Sequence, residues 1–292
     1  MACVRLKRTQ RKRMGTPPSL RQRVLEYFEA TTESSYLSNW SGATLALHFG
    51  LSDASTRSHE ESLERSNHVL AERAGVSAGT RVLDAGCGVG GSAIWLAKER
   101  GAKVVGITLS ERQVELAVGF AARAGVSNST DFLVRDYLET GFAPGSFDVV
   151  WNLESLCHAA DPKAYLAHVK ELLVEGGRFV CLDLFRGDGG DPSFCDEMCR
   201  GWVLPSLRGR GEIAGMLIDL GFSEVTEVDL TRDVRRSAST MRQMALARMA
   251  MLSREEAPDP TYLGHTKGAL GASGGLLSGA VHYAFVGGKR AK

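Results

Sequence analysis

The chain has 292 residues, 43% of them hydrophobic and 24% charged, the balance of a globular protein long enough for one large core. Its formal net charge of +1 argues against nucleic-acid binding by general electrostatics. No apolar run approaches the ~20 residues of a membrane span, and no apolar segment follows the basic N-terminus as a secretory signal requires. A cytoplasmic protein is therefore expected.

The chain opens on six basic residues, Arg5, Lys7, Arg8, Arg11, Lys12 and Arg13, followed by Met14. A run of this kind reads as a solvated tail over 1–18, and Met14 is an alternative start. From Ser19 to Glu33 the recurrence of Leu20, Val24, Leu25 and Phe28 predicts a helix. The aromatic-rich stretch Tyr36, Trp40, His48 and Phe49 follows, then a helix over 60–75. Residues 19–75 are expected to form a helical cap on a larger domain, 76–292.

In that domain, strands are predicted at Arg81–Ala85, Lys103–Thr108, Asp131–Arg135, Phe147–Trp151, Arg178–Leu184, Glu224–Leu230 and Val281–Val286. Helices fit at 91–100, 111–124, 162–174 and 209–220, with Gly176–Gly177 read as a helix cap. Such alternation gives an α/β fold, a seven-stranded, mostly parallel sheet with helices on both faces. Two segments interrupt it, 186–207 and 231–275, and both are expected to cap the C-terminal edge of the sheet. The second carries Met241, Met244, Met249 and Met251 on a helix, as a substrate wall or a plain packing face, and then becomes rich in glycine around 268–279.

Six cysteines, Cys3, Cys87, Cys157, Cys181, Cys195 and Cys199, are scattered and read as reduced thiols. Cys195 and Cys199 fall on one helical face with no second Cys/His pair nearby, so no metal site is assigned.

The stretch with most chemical content is Asp84-Ala85-Gly86-Cys87-Gly88-Val89-Gly90-Gly91, in which an apolar strand runs into a glycine turn and a helix. Glycine permits positive φ and close approach of the backbone to a ligand. The turn lies at the carboxyl end of the first strand, where open α/β sheets bind ligands. Gly86, Gly88 and Gly91 also satisfy the Gly-x-Gly-x-x-Gly spacing of dinucleotide sites, but Asp84 would repel a pyrophosphate and suits a cationic amino acid. A nicotinamide oxidoreductase is thereby disfavoured.

At this motif the chain resembles class I S-adenosylmethionine (SAM)-dependent methyltransferases with a Rossmann-like sheet. The run Gly106-Ile107-Thr108-Leu109-Ser110 with Gln113 is similar to the subgroup of cyclopropane fatty acid synthases, tocopherol and sterol methyltransferases, and prenyl diphosphate C-methyltransferases. The resemblance covers 27–185 well and 208–230 loosely. It implies SAM as cofactor, S-adenosylhomocysteine (SAH) as product and a small-molecule acceptor. The implied cofactor residues are Asp84, Gly86, Cys87 and Gly88 at the glycine turn, Thr108, Leu109 and Gln113 at the ribose, Asp136 and Tyr137 at the adenine, Asn152 after the fourth strand, and Tyr36, with Trp40 behind it, folding over from the cap.

The loop Glu154-Ser155-Leu156-Cys157-His158 would face the transferred methyl group. Glu154 would stabilise a carbocation or take the departing proton, and His158 would serve as a base for an N–H or O–H. C-methylation of an alkene or prenyl, terpenoid-like acceptor is the expectation. N- or O-methylation of a natural product, and a SAM-binding cyclase without net methyl transfer, stand as alternatives. Mg²⁺ is required only for a diphosphate acceptor, which would also need basic residues such as Arg200, Arg208 or Arg210. A homo-oligomer is compatible with all of these readings.

Overall fold

The computed structural model describes residues 18–36 and 44–291. The basic tail and Trp40 lie outside the described residues, as does the side chain of Tyr36.

Among the described residues the chain runs α1 (Leu20–Tyr36), α2 (His59–Ala74), β1 (Arg81–Ala85), α3 (Gly91–Arg100), β2 (Lys103–Thr108), α4 (Glu111–Ala124), β3 (Thr130–Val134) and β4 (Phe147–Leu153). It continues through α5 (Pro162–Leu172), β5 (Leu173–Arg186), α6 (Ser193–Gly201), α7 (Glu212–Asp219), β6 (Phe222–Asp229), α8 (Arg235–Leu252), α9 (Pro260–Ser278) and β7 (Val281–Arg290). The seven strands form one sheet in the order β3-β2-β1-β4-β5-β7-β6. Six run in one direction, and β7 runs antiparallel between β5 and β6.

The strand patterns explain the layers. Along β5, Phe179, Cys181 and Phe185 pack on one side with Tyr165, Leu166 and Val169 of α5 and Leu217 of α7. The alternate residues Val180, Leu182 and Leu184 pack on the other side, with Leu63 and Leu70 of α2 and Leu96 of α3. This period of two on a sheet buried on both faces is what the sequence requires. The chain moves from β1 to β2 and β3 on one side, then returns past β1 to β4. A crevice therefore opens at the carboxyl ends of β1 and β4, the point where such sheets bind ligands.

One expectation changes, and one segment left open by the sequence is resolved. Gly176–Gly177 does not cap a helix: α5 ends at Leu172, β5 begins at Leu173, and Gly176, at φ 78°, sits inside the irregular start of that strand. The Leu173 amide reaches back to Val169 and closes the helix without glycine. The glycine-rich stretch of the cap is also regular, as the body of α9. Its glycines let helices touch, since a Cβ on Gly271 would lie 2.6 Å from the Met198 amide of α6, and one on Gly268 would lie 2.3 Å from the Trp202 ring. Helix entropy lost at glycine is offset by this close approach, which polar-versus-apolar patterning does not reveal. The methionines divide: Met241 and Met244 pack toward the core, whereas Met251 is 68% exposed.

Candidate active site

β1 delivers the chain into a turn with Gly86, Gly88 and Gly90 all at positive φ (92°, 54° and 86°). The Gly86 and Cys87 amides both donate to the Ile107 carbonyl, at 2.9 and 3.0 Å, tying the turn to the end of β2. A Cβ on Gly86 would come within 2.5 Å of the Ser155 Cβ, so the turn and the loop after β4 require each other's shape. The turn runs directly into α3, whose first residues Gly91 and Ser92 line a cavity of about 300 Å³. That size suits a small molecule, and a helix N-terminus at its wall suits a carboxylate.

Asp84, Gly86, Cys87, Gly88, Thr108, Leu109, Gln113, Asp136, Tyr137, Glu154 and His158 all border this cavity. The sequence thus named eleven residues that the fold brings around one space. Asn152 does not border it. Its Nδ2 donates to the Ala85 carbonyl and to Ser155 Oγ, and its Oδ1 accepts from Tyr165 at 2.6 Å. Buried, with both Nδ2 hydrogens committed, Asn152 holds the β1 and β4 loops together and stands behind the cavity wall rather than on it, where a place against a cofactor was expected. Tyr36 ends α1 and its side chain lies outside the described residues.

Asp84 is 2% exposed, and its Oδ2 has no hydrogen-bond partner among the described residues. Burial raises its pKa to about 7. A buried carboxylate without a partner is costly, and a cationic ligand group would relieve that cost. Gln113 is committed otherwise: its Oε1 accepts from Thr108 Oγ1 at 2.5 Å and its Nε2 donates to Thr32 of α1 at 3.0 Å. Asp136 pairs with Arg21 of α1 at 3.0 Å. Tyr137 donates to the Ser155 carbonyl at 3.5 Å and packs on Tyr165.

The loop after β4 holds the two reactive candidates. Glu154 is a non-glycine residue at φ 50°, a conformation that costs ~1 kcal/mol or more and persists only when its surroundings enforce it. Here its amide donates to Leu182, and its Oε1 accepts from the Phe49 amide at 2.6 Å and the Tyr283 hydroxyl at 2.7 Å. Burial raises its pKa to about 8 against the pull of those two donors. His158 ends a 3-10 turn, Leu156–His158, with its ring 5.3 Å from Phe28 of α1. Its Nδ1 is buried and has no partner among the described residues, and burial lowers its pKa to about 4. The imidazole is neutral and retains acceptor capacity.

The sequence did not single out His48 as a site residue. It borders the cavity, its Nδ1 bonds the Phe49 carbonyl at 3.0 Å, and its buried Nε2 has no partner among the described residues. Its place in an aromatic-rich connection carried no motif, so only the fold reveals it. The far half of the cavity is walled by Phe28, Leu184, Trp202, Met241, Met244 and Ala269, and is largely apolar. Arg200, Arg208 and Arg210 are not among the residues that line it: their guanidinium groups bond the Asp196 and Ala160 carbonyls and the carboxylates of Glu227 and Asp229. They stand outside the cavity, away from the place that a diphosphate acceptor, and only that acceptor, would require of them. Among the described residues no group of three His, Cys, Asp or Glu is placed to hold a metal ion.

Residues 83–181 match the "Methyltransferase domain" family. In sequence the chain is similar to sterol and tocopherol methyltransferases. Over 179 residues it is 32% identical to "Cycloartenol-C-24-methyltransferase 1" of Oryza sativa subsp. japonica, covering 59% of this chain and 52% of the relative. Over 163 residues it is 29% identical to "Tocopherol O-methyltransferase, chloroplastic" of Arabidopsis thaliana, covering 53% of this chain and 47% of the relative. The matched stretch thus spans about half the length of these relatives. In three dimensions it is similar to the [4+2]-cyclase SpnF, with TM-score 0.79, 21% identity and coverage of 94% and 97% of the two chains. It is also similar to geranyl diphosphate C-methyltransferase from Streptomyces coelicolor A3(2), solved with Mg²⁺, geranyl diphosphate and SAH, with TM-score 0.72, 19% identity and coverage of 94% and 98%. At these identities the structural likeness shows the fold.

Proposed function

We propose that the protein is a SAM-dependent methyltransferase acting on a small, largely apolar acceptor. The observation that carries this is Asp84, a buried carboxylate with an unpartnered oxygen, set beside a three-glycine turn and a helix N-terminus on one cavity wall. The residues fit an amino acid zwitterion: Asp84 for its ammonium, and the Gly91–Ser92 end of α3 for its carboxylate. Thr108, Leu109 and Gln113 border the region for a ribose, and Asp136 and Tyr137 that for an adenine. SAM when bound supplies an activated methyl group on sulfur. The protein then has to orient the acceptor for in-line attack, exclude water and accept a proton.

His158 is best placed for the proton, because its ring is neutral and its buried Nδ1 is unpartnered among the described residues, so the tautomer protonated on Nε2 leaves Nδ1 as acceptor. This favours methylation of a hydroxyl or amine. A second reading, transfer to an alkene carbon, is favoured by Glu154, which borders the same cavity in an enforced left-handed conformation. There its carboxylate would face a developing cation. Net methyl transfer separates both from a cyclase of the same fold.

Calorimetric titration with SAH, with NADH as control, tests the cofactor. Micromolar binding of SAH alone is the expected result, and no binding would overturn the proposal. Once an acceptor is found, His158→Ala should lower kcat at least about 100-fold with KM for SAM unchanged if the base acts on a heteroatom. Glu154→Gln, which keeps an oxygen for both donors, should be the more damaging change if carbon is the target.

A further inference from the structure

We infer that the acceptor is an elongated apolar molecule ending in a carboxylate, and that Arg248 reads this carboxylate at the end of the chamber remote from the reacting centre. The inference rests on the methyl-transfer reading, with the reacting centre at Glu154 and His158. α8 supplies the geometry. Met241, Met244 and Arg248 recur at three- and four-residue spacing, so they share one helix face, and all three border the cavity.

That face has a direction. Near the start of α8, Ser237 Oγ accepts from the Gly50 amide at 2.9 Å, and the adjacent Phe49 amide donates to Glu154. The beginning of α8 therefore lies beside the reacting centre. Arg248 comes eleven residues later, a rise of ~16 Å along the axis. Between them the wall is thioether and methyl. An acceptor laid along this face has its reacting atom near Glu154 and its other end at the guanidinium.

The charges around the cavity leave Arg248 for that role. Arg21 is paired with Asp136, and Arg135 donates to the Thr140 carbonyl. Arg248 lies over the Tyr262 ring, 4.9 Å from its centroid, with no hydrogen-bond or ion-pair partner among the described residues. Its charge is felt inside the chamber, where it adds to burial in lowering the pKa of His265. A half-buried guanidinium on an apolar wall presents two parallel N–H groups that match one carboxylate. A diphosphate would demand further cations or a metal, and the described lining residues at this end supply neither.

The test uses the full chain saturated with SAH, titrated calorimetrically with decanoate and with 1-decanol. The two share an apolar tail and differ in charge. Decanoate should bind at least about tenfold more tightly than decanol, and the preference should shrink with added salt. Arg248→Met should bring the two within about twofold, and Arg248→Lys should retain part of the preference. SAH affinity measured on each variant reports that the fold is intact. Equal affinity of the two probes, no binding of decanoate, or a preference that survives Arg248→Met would each overturn the inference while leaving the cofactor reading standing. Failure of wild type to bind SAH would overturn both.

Discussion

Asp84 concentrates the chemistry of the cofactor half. Its pKa of about 7 reflects burial alone, so a cationic group binds in competition with a proton. SAM affinity is therefore expected to fall as pH drops below 7, approaching tenfold per unit, and calorimetry between pH 5.5 and 8 checks it. Asp84→Asn should remove this dependence and weaken SAM roughly 10- to 150-fold at pH 8, since a buried charge-assisted bond is worth ~1.5–3 kcal/mol. The histidines behave oppositely. Burial lowers His48 and His158 to about 4, so both are neutral across the physiological range, and no limb near pH 6.5 should appear in the rate profile. His48→Phe tests the imidazole that the sequence reading passed over. A fall in kcat with SAH affinity retained would place it at the acceptor.

At the scale of elements, the site depends on how loops are pinned to one another. Tyr283 of β7 and the Phe49 amide jointly hold Glu154, linking the last strand and the N-terminal connection to the loop after β4. Removing the Tyr283 donor, which lowers the Glu154 pKa, should push that pKa higher still. Tyr283→Phe is expected to shift the corresponding limb of the pH–rate profile upward while leaving SAH binding intact. The cap is pinned by helix contact. Gly201 approaches α9 so closely that a Cβ would lie 2.3 Å from the Gly264 carbonyl and 2.5 Å from the Gly268 amide. Gly201→Ala should therefore destabilise the protein by ~1–3 kcal/mol, read as a lower midpoint in urea. The α6–α9 contact comes from glycines of α9 set against Phe194, Met198, Gly201 and Trp202, a property no single-helix pattern contains.

For the whole molecule, buried ionisable groups set the response to pH. The folded-state pKa of Glu154 is raised, from 4.5 to about 8. Its contribution to stability is thus fully present below 4.5 and is lost as pH rises through 8. The lowered histidines act in the opposite sense, but only up to their ordinary value of 6.5. Between pH 6.5 and 9 the wild type should lose on the order of 2 kcal/mol relative to Glu154→Gln. Urea unfolding of both proteins at the two pH values measures that difference, and an unchanged difference would sink the assignment. Ligand linkage is the second global expectation. SAH at one hundred times its Kd should add ~2.7 kcal/mol. Arg21, Glu29 and Thr32 of α1 bond Asp136, Ser110 and Gln113 around the cofactor half, so amide exchange in α1 should report that binding.

The sequence by itself determined the sheet and its glycine turn. Seven apolar stretches alternating with helical ones leave a two-sided parallel sheet as the economical burial, and Asp84 ahead of Gly86, Gly88 and Gly90 marks its ligand end. Period and positive-φ demand are local properties, and local sequence carries them. The antiparallel insertion of β7 between β5 and β6, the regular helix made by the glycine-rich cap, and the withdrawal of Asn152 from the cavity were decided by tertiary structure. So were the positions of His48 and Arg248, which lie far apart in the chain and border one cavity only because α8 and the N-terminal connection pack against it. Each depends on which surfaces meet, and contacts across long sequence separations leave no periodicity to read.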